Sequence, residues 1–250
     1  MEFIARHLIG GPVHFGRSKA DKAKEPFKES LHYLWWEYLR RSEKYKTCCE
    51  NKGKGELSDL YKDFGDVFSV DFKTWWQTDN RGIKLFYEKN PDDKIRRVKK
   101  TEELNLNDNI LTISIPMELP QEFILDTVRK LLKKSGHKGE KGLKAEVNKS
   151  STARYKIVGG VNKVSLRRSL ELYDVKQQNP KMKLYELAIK LKLGSYWKFT
   201  DGKDEKMDKD TRLEERAFLS SIANRHLRRV EKIIKSVEEG KFPNVRGKIL

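Results

Sequence analysis

Cysteine, long apolar runs and metal-ligand spacings are what this sequence is short of, and each shortage removes a class of protein. The only two cysteines, Cys48 and Cys49, are adjacent, so no disulfide framework is available and a reducing compartment fits. No run approaches the length needed to span a bilayer. The opening stretch MEFIARHLIGGPVHFG lacks a long apolar segment ahead of a cleavage site, so the chain reads as soluble and cytoplasmic, with no membrane partner. The five histidines, His7, His14, His32, His137 and His226, are scattered without a second ligand at metal spacing, so no metal or other cofactor is expected. The Gly-Gly and Lys-Gly-Lys-Gly stretches lack the spacing and the trailing Lys-Ser or Lys-Thr of a phosphate-cradling loop. Asn90 to Lys94, NPDDK, is a faint nuclease-like acidic cluster without the flanking strand that would set two carboxylates around a magnesium ion, and reads as a surface turn. A non-enzymatic protein is therefore expected, with a metal-dependent nuclease the weakest of the readings left open.

What is present is charge, and it is unevenly placed. The net charge is +17. Residues 1 to 126 hold 22 Lys/Arg against 22 Asp/Glu, residues 127 to 200 hold 19 against 5, and residues 201 to 250 hold 13 against 10. A block of +14 in one third of the chain is the electrostatic footprint of a polyanion partner, nucleic acid being the commonest. The composition is polar for a globular chain, at 37% hydrophobic and 36% charged, but five Trp, nine Tyr and eleven Phe argue that it folds.

Periodicity and punctuation predict a mainly α, α+β chain in two parts: an aromatic-rich N-terminal unit over 1–134 and a basic helical unit over 154–250. Between them lies a Gly- and Lys-rich linker over 135–153. Residues 1 to 16 read as loop with a brief strand. Ser30 is the expected N-cap of a helix whose face carries Leu31, Leu34, Trp35, Tyr38 and Leu39 and which ends by Cys49. A short helix is expected around Leu57, Leu60, Tyr61 and Phe64. The pairs Trp35-Trp36 and Trp75-Trp76 read as core of the N-terminal unit rather than as a base-stacking platform. Alternation of Leu111, Ile113 and Ile115 with Thr112 and Ser114 predicts a half-buried strand over 110–115. Pro120 should open a helix whose Ile124, Val128, Leu131 and Leu132 face a core, so that strand and helix form a small α+β layer. Arg154 to Val158 could form another short strand. Ser165 should begin a helix that Asn179-Pro180 closes. Thr211-x-x-Glu214 reads as a capping box ahead of a long helix with a stripe through Leu219, Ile222, Ala223, Leu227, Val230, Ile233, Ile234 and Val237, stopped by Gly240. That stripe could close a helical bundle or form half of a homodimer interface.

The functional reading centres on Met182 to Thr200, MKLYELAIKLKLGSYWKFT. Leu184, Leu187, Ala188 and Leu191 lie at three- and four-residue spacing, and Ala188 is small enough to let a second helix cross closely. Residues 184–198 resemble a helix-turn-helix. They depart from it at the usual glycine of the turn, here Lys192, and at Lys198 and Asp201, where branched apolar residues would be usual. Asp201-Gly202 would cut short any helix begun at Ser195. Separately, Trp36-Glu37-Tyr38-Leu39-Arg40-Arg41 followed by Lys44-Tyr45 resembles the opening of bacterial mobile-element proteins described as transcriptional regulator-like. Over about a dozen residues, that resemblance implies a chromosomal-element or plasmid context and carries over no catalytic residue.

The expected function is thus a DNA-binding regulator or accessory factor, within a bacterial mobile element or defence-type system. Arg167, Arg168, Lys183, Lys190, Lys192 and Lys198 would contact phosphates, and Ser195, Tyr196 and Lys198 would approach base edges of double-stranded DNA. The alternative is a subunit of a nucleoprotein assembly binding RNA or single-stranded DNA, in which Trp197 and Phe199 stack bases and the neutral N-terminal half holds a protein partner.

Overall fold

The computed structural model describes residues 3–4, 12–20, 24–89, 111–135, 153–157, 162–193 and 209–243. The chain divides into two compact units. One comprises Phe3–Glu88 with Thr152–Leu250, the other Met1–Glu2 with Lys89–Ser151.

In the first unit the main elements are α1 (Leu31–Leu39), α2 (Glu43–Glu50), α3 (Ser58–Phe64), α4 (Phe72–Gln77), α5 (Arg81–Phe86), α7 (Lys163–Gln178), α8 (Leu184–Lys190) and α9 (Lys209–Glu238). Ser30 caps α1 as expected, its Oγ accepting from the Tyr33 N–H at 3.1 Å. The helix is shorter than its apolar pattern allows, because Ser42 starts a second one by accepting from Tyr45 N–H at 3.0 Å. Asp71 caps α4 in the same way, accepting from Lys73 and Thr74.

Trp35, Trp36, Trp75 and Trp76 are buried, and they build an aromatic core in which Trp35 meets Phe64, Phe86, Tyr155 and Phe242. Trp75 donates Nε1–H to the Phe64 carbonyl at 2.6 Å. Gly82 is required beside this core, since a Cβ there would stand 2.0 Å from the Trp76 ring.

That core is not private to the N-terminal half. Leu166 and Leu170 of α7, Val230, Ile233, Ile234 and Val237 of α9, and Phe242 belong to the same cluster as Trp35 and Trp75. Polar contacts tie the same elements together. The Tyr38 hydroxyl donates to the Leu166 carbonyl at 3.0 Å, and Arg41 grips Asp174 with Nε at 3.0 Å and Nη2 at 2.7 Å while also pairing with Glu37. Hydrophobic pattern identifies buried faces but not which buried face meets which, so the sequence could not distinguish two cores from one. The linker itself lies largely outside the described residues.

The α9 stripe is covered within the chain. Its C-terminal half enters the aromatic core, while Leu219 and Ala223 join Leu172, Ala188 and Leu193 in a second cluster. The helix starts at Lys209, placing Thr211 inside it, so the expected capping box is not its N-terminus. An x-x spacing of Thr and Glu also occurs in helix interiors, and Asp210 in the first turn suits the dipole. Gly240, at φ 71°, ends the run as anticipated. Ile157 makes one isolated parallel bridge to Phe242 rather than a strand.

The second unit's described elements are an irregular stretch over 111–120 and α6 (Gln121–Lys134), with Pro120 at the expected start. The predicted strand layer is absent among the described residues. Leu111, Ile113 and Ile115 are exposed, because alternation supplies a face but no hydrogen-bonding neighbour. None of the α6 side chains is buried, so the core-facing role expected of Ile124, Val128, Leu131 and Leu132 is not realised within this unit. The described residues also include two 3-10 helices, Pro26–Glu29 and Thr78–Asn80, and two two-residue strands, β1 (Phe3–Ile4) and β2 (Glu88–Lys89). No described helix is long and apolar enough to cross a membrane.

Candidate nucleic-acid interface

The basic third of the sequence reaches the surface on α7 and α8. Asn162 starts α7 three residues ahead of the expected Ser165, its carboxamide oxygen accepting from Val164 N–H at 3.0 Å and Ser165 N–H at 3.2 Å. Asn179 ends it as predicted. The turn into α8 is closed by Lys176, whose ammonium donates to the carbonyls of Pro180 at 2.7 Å and Met182 at 2.8 Å. Glu186 then accepts from the Lys183 backbone N–H at 2.9 Å, a bond that holds its carboxyl below the usual range.

Burial of Leu187 and Ala188 fixes the orientation of α8. Ala188 belongs to one buried cluster with Leu172, Leu193 and, from α9, Leu219 and Ala223. With that face inward, Lys183, Lys190 and Lys192 are exposed.

Lys192 occupies the turn position where a helix-turn-helix usually has glycine, and it adopts the backbone glycine favours, φ 49°. Its N–H donates to Ile189 at 3.0 Å and that of Leu193 to Ala188 at 2.9 Å, the pair of bonds that closes a Schellman turn. Leu193 is buried and locks the closure. Ser195, Tyr196 and Lys198, with Trp197 and Phe199, lie outside the described residues.

Ion pairs occur in both halves of the sequence. Arg40 and Arg41 pair with Glu37, Lys44 with Glu56, Lys62 with Asp59, and Arg154 with Asp63. Among the described residues no carboxylate pairs with Arg168, Lys183, Lys190 or Lys192. Arg167 differs from these four. Its Nη2 meets Glu29 at 2.5 Å and the Lys28 carbonyl at 3.3 Å, and the hydrogen bond pulls the Glu29 carboxyl below its usual range. Because Glu29 is largely exposed, the pair is readily exchanged for another anion.

A basic cleft of about 670 Å³ lies where α9 passes α7. Arg225, Arg228, Arg229 and Lys232 line it at i, i+3, i+4 and i+7 on one face of α9, and no described acidic side chain does. Ser165 and His226 complete the part that matters chemically. The Arg229 Nη1 donates to Ser165 Oγ at 2.7 Å, and His226 Nδ1 stands 2.7 Å from Ser169 Oγ. Half-burial, followed by Arg229, Arg225 and Arg168, holds the imidazole below its ordinary pKa.

The arginines of this cleft were missed as a site because the ten acidic residues of 201–250 leave that segment a net charge of only +3. Their helical spacing is the signal that could have found them. Among the described residues no group of three or more His, Cys, Asp or Glu is placed to hold a metal. Comparison of the chain with protein-family models, with curated proteins and with solved structures finds no match.

Proposed function

We propose that this chain is a non-enzymatic DNA-binding protein, acting as a regulator or accessory factor of a bacterial mobile element or defence-type system. The observation that supports this reading best is the exposure of Arg168, Lys183, Lys190 and Lys192, none of which pairs with a carboxylate among the described residues. Unpaired surface cations clustered by sequence and helix neutralise phosphates and release counterions, which is the sequence-independent part of DNA affinity. Arg167 joins them by exchanging Glu29 for a phosphate. The buried Leu187, Ala188 and Leu193 anchor α8 and its closing turn, so the lysines act from a fixed frame. Ser195, Tyr196 and Lys198, which follow that turn in the chain, are the positions assigned to base edges.

Competition binding tests the reading. Labelled duplex is challenged with unlabelled duplex, single-stranded DNA and structured RNA at one stated salt concentration. Duplex should compete best. Stronger competition by RNA or single strand would replace this reading with the nucleoprotein-assembly one.

A further inference from the structure

The cleft between α7 and α9 is built differently from the exposed lysine surface of α8. Arg229 is held by Ser165, yet its Nε is inaccessible to solvent and has no hydrogen-bond partner. With Nε out of reach, the Nη groups are the donors this guanidinium leaves to the cleft it lines, and it meets no carboxylate among the described residues. Arg225, Arg228 and Lys232 crowd the same helix face, so four like charges converge on one concavity with no described acid to offset them. Such a face attracts anions.

We infer that this cleft is a seat for a phosphate group, with Arg229 as the fork and Arg225, Arg228 and Lys232 as the surrounding charges. Planar bidentate recognition by arginine suits phosphate oxygens, and the cleft has room for more than one phosphate. Ser169 Oγ donates to the Ser165 carbonyl at 2.8 Å, so it accepts from His226 Nδ1–H. That leaves Nε2 as the atom able to take up a proton. The groups facing this imidazole are Ser165, Arg168 and Ser169 of α7 and Arg225 and Arg229 of α9. A bound phosphate offsets those arginines and favours the imidazolium. Occupancy is therefore accompanied by proton uptake at His226.

The seat stands on its own geometry and does not depend on the α8 lysines, so each can fail alone. Phosphate chemistry has two sources here, a nucleic-acid backbone and a free phosphorylated small molecule. The test is calorimetric titration of the full chain with inorganic pyrophosphate and with a short duplex, each in two buffers of different ionisation heat. The variants are Arg229→Lys, which keeps the charge and removes the fork, and Arg225→Ala with Arg228→Ala, both exposed and harmless to the core.

At least one ligand should bind about tenfold more weakly to both variants. The wild-type proton uptake should vanish in His226→Gln. Loss confined to pyrophosphate identifies a small-molecule seat; loss that includes duplex identifies a backbone seat. If neither ligand loses affinity in either variant, the cleft is not a phosphate seat, whatever Lys183, Lys190 and Lys192 do.

Discussion

Replacing Lys192 by glycine should strengthen the fold and weaken DNA binding at once. Lys192 carries a side chain in the left-handed region, at φ 49°, to let the Leu193 N–H reach the Ala188 carbonyl. For a residue with a Cβ that backbone costs ~1–2 kcal/mol. Glycine removes the strain but returns ~0.5–1 kcal/mol through the greater freedom of the unfolded chain. The balance is a gain of about 0.5–1 kcal/mol, or about 1–4 °C in Tm for a chain of this size. Lys192→Ala keeps the strain and deletes only the charge, so its Tm should match the parent. Both variants lose one phosphate contact, so both should flatten the plot of log affinity against log salt by about 0.9. Denaturant melts and filter binding on the three proteins separate the two effects. A glycine variant no more stable than the alanine one would refute the argument from the turn.

Ile233 is fully buried between α9 and the aromatic core, so Ile233→Asp should abolish cooperative unfolding, while Ile233→Ala should cost about 2–5 kcal/mol in a urea melt. Arg41→Ala strands the nearly buried Glu37 carboxylate and frees Asp174, for a loss of about 3 kcal/mol; the same melt should show Glu37→Gln restoring part of it. His32 is buried against Trp76 and Phe86, where burial and then Lys163 bring its pKa down to about 3. The unfolded chain takes its proton near the ordinary value of 6.5 and the folded form only near 3, so stability is full above the first and drains as pH falls towards the second. By pH 5 that amounts to about 2 kcal/mol, and His32→Phe should flatten the fall in urea midpoint between pH 7.5 and 5. An equal fall in parent and variant would exclude His32 as its source.

Local signals in this sequence were readable because each has a local cause. Ser30 before an apolar face, Asn179-Pro180 after one, and Gly240 after the α9 stripe mark helix ends through caps and backbone preferences that need no tertiary partner. The burial of Trp35 and Trp75 follows from their size and spacing. Features that depend on distant segments were not readable. Leu111, Ile113 and Ile115 alternate as a strand would, yet the regular pattern cannot supply a neighbouring strand. Val230 and Ile233 are plainly apolar, but nothing local says that they meet Trp35 rather than a second chain. The interface was half legible. The exposed α8 lysines follow from the burial of Leu187 and Ala188, whereas the arginine cleft requires α9 to be laid against Ser165 and Ser169.

The most direct test of the proposed function is a salt titration of affinity for cognate and scrambled duplex, using the parent, Arg168→Ala, Lys183→Ala, Lys190→Ala and the pair Tyr196→Ala and Lys198→Ala. Each of the first three variants should lower affinity for both duplexes alike and reduce the salt slope by about 0.9. The pair should lose about 1–3 kcal/mol of preference for the cognate site while changing scrambled binding less. Slopes and preferences that match the parent in every variant would mean that α7 and α8 carry their cations only as a solvated surface.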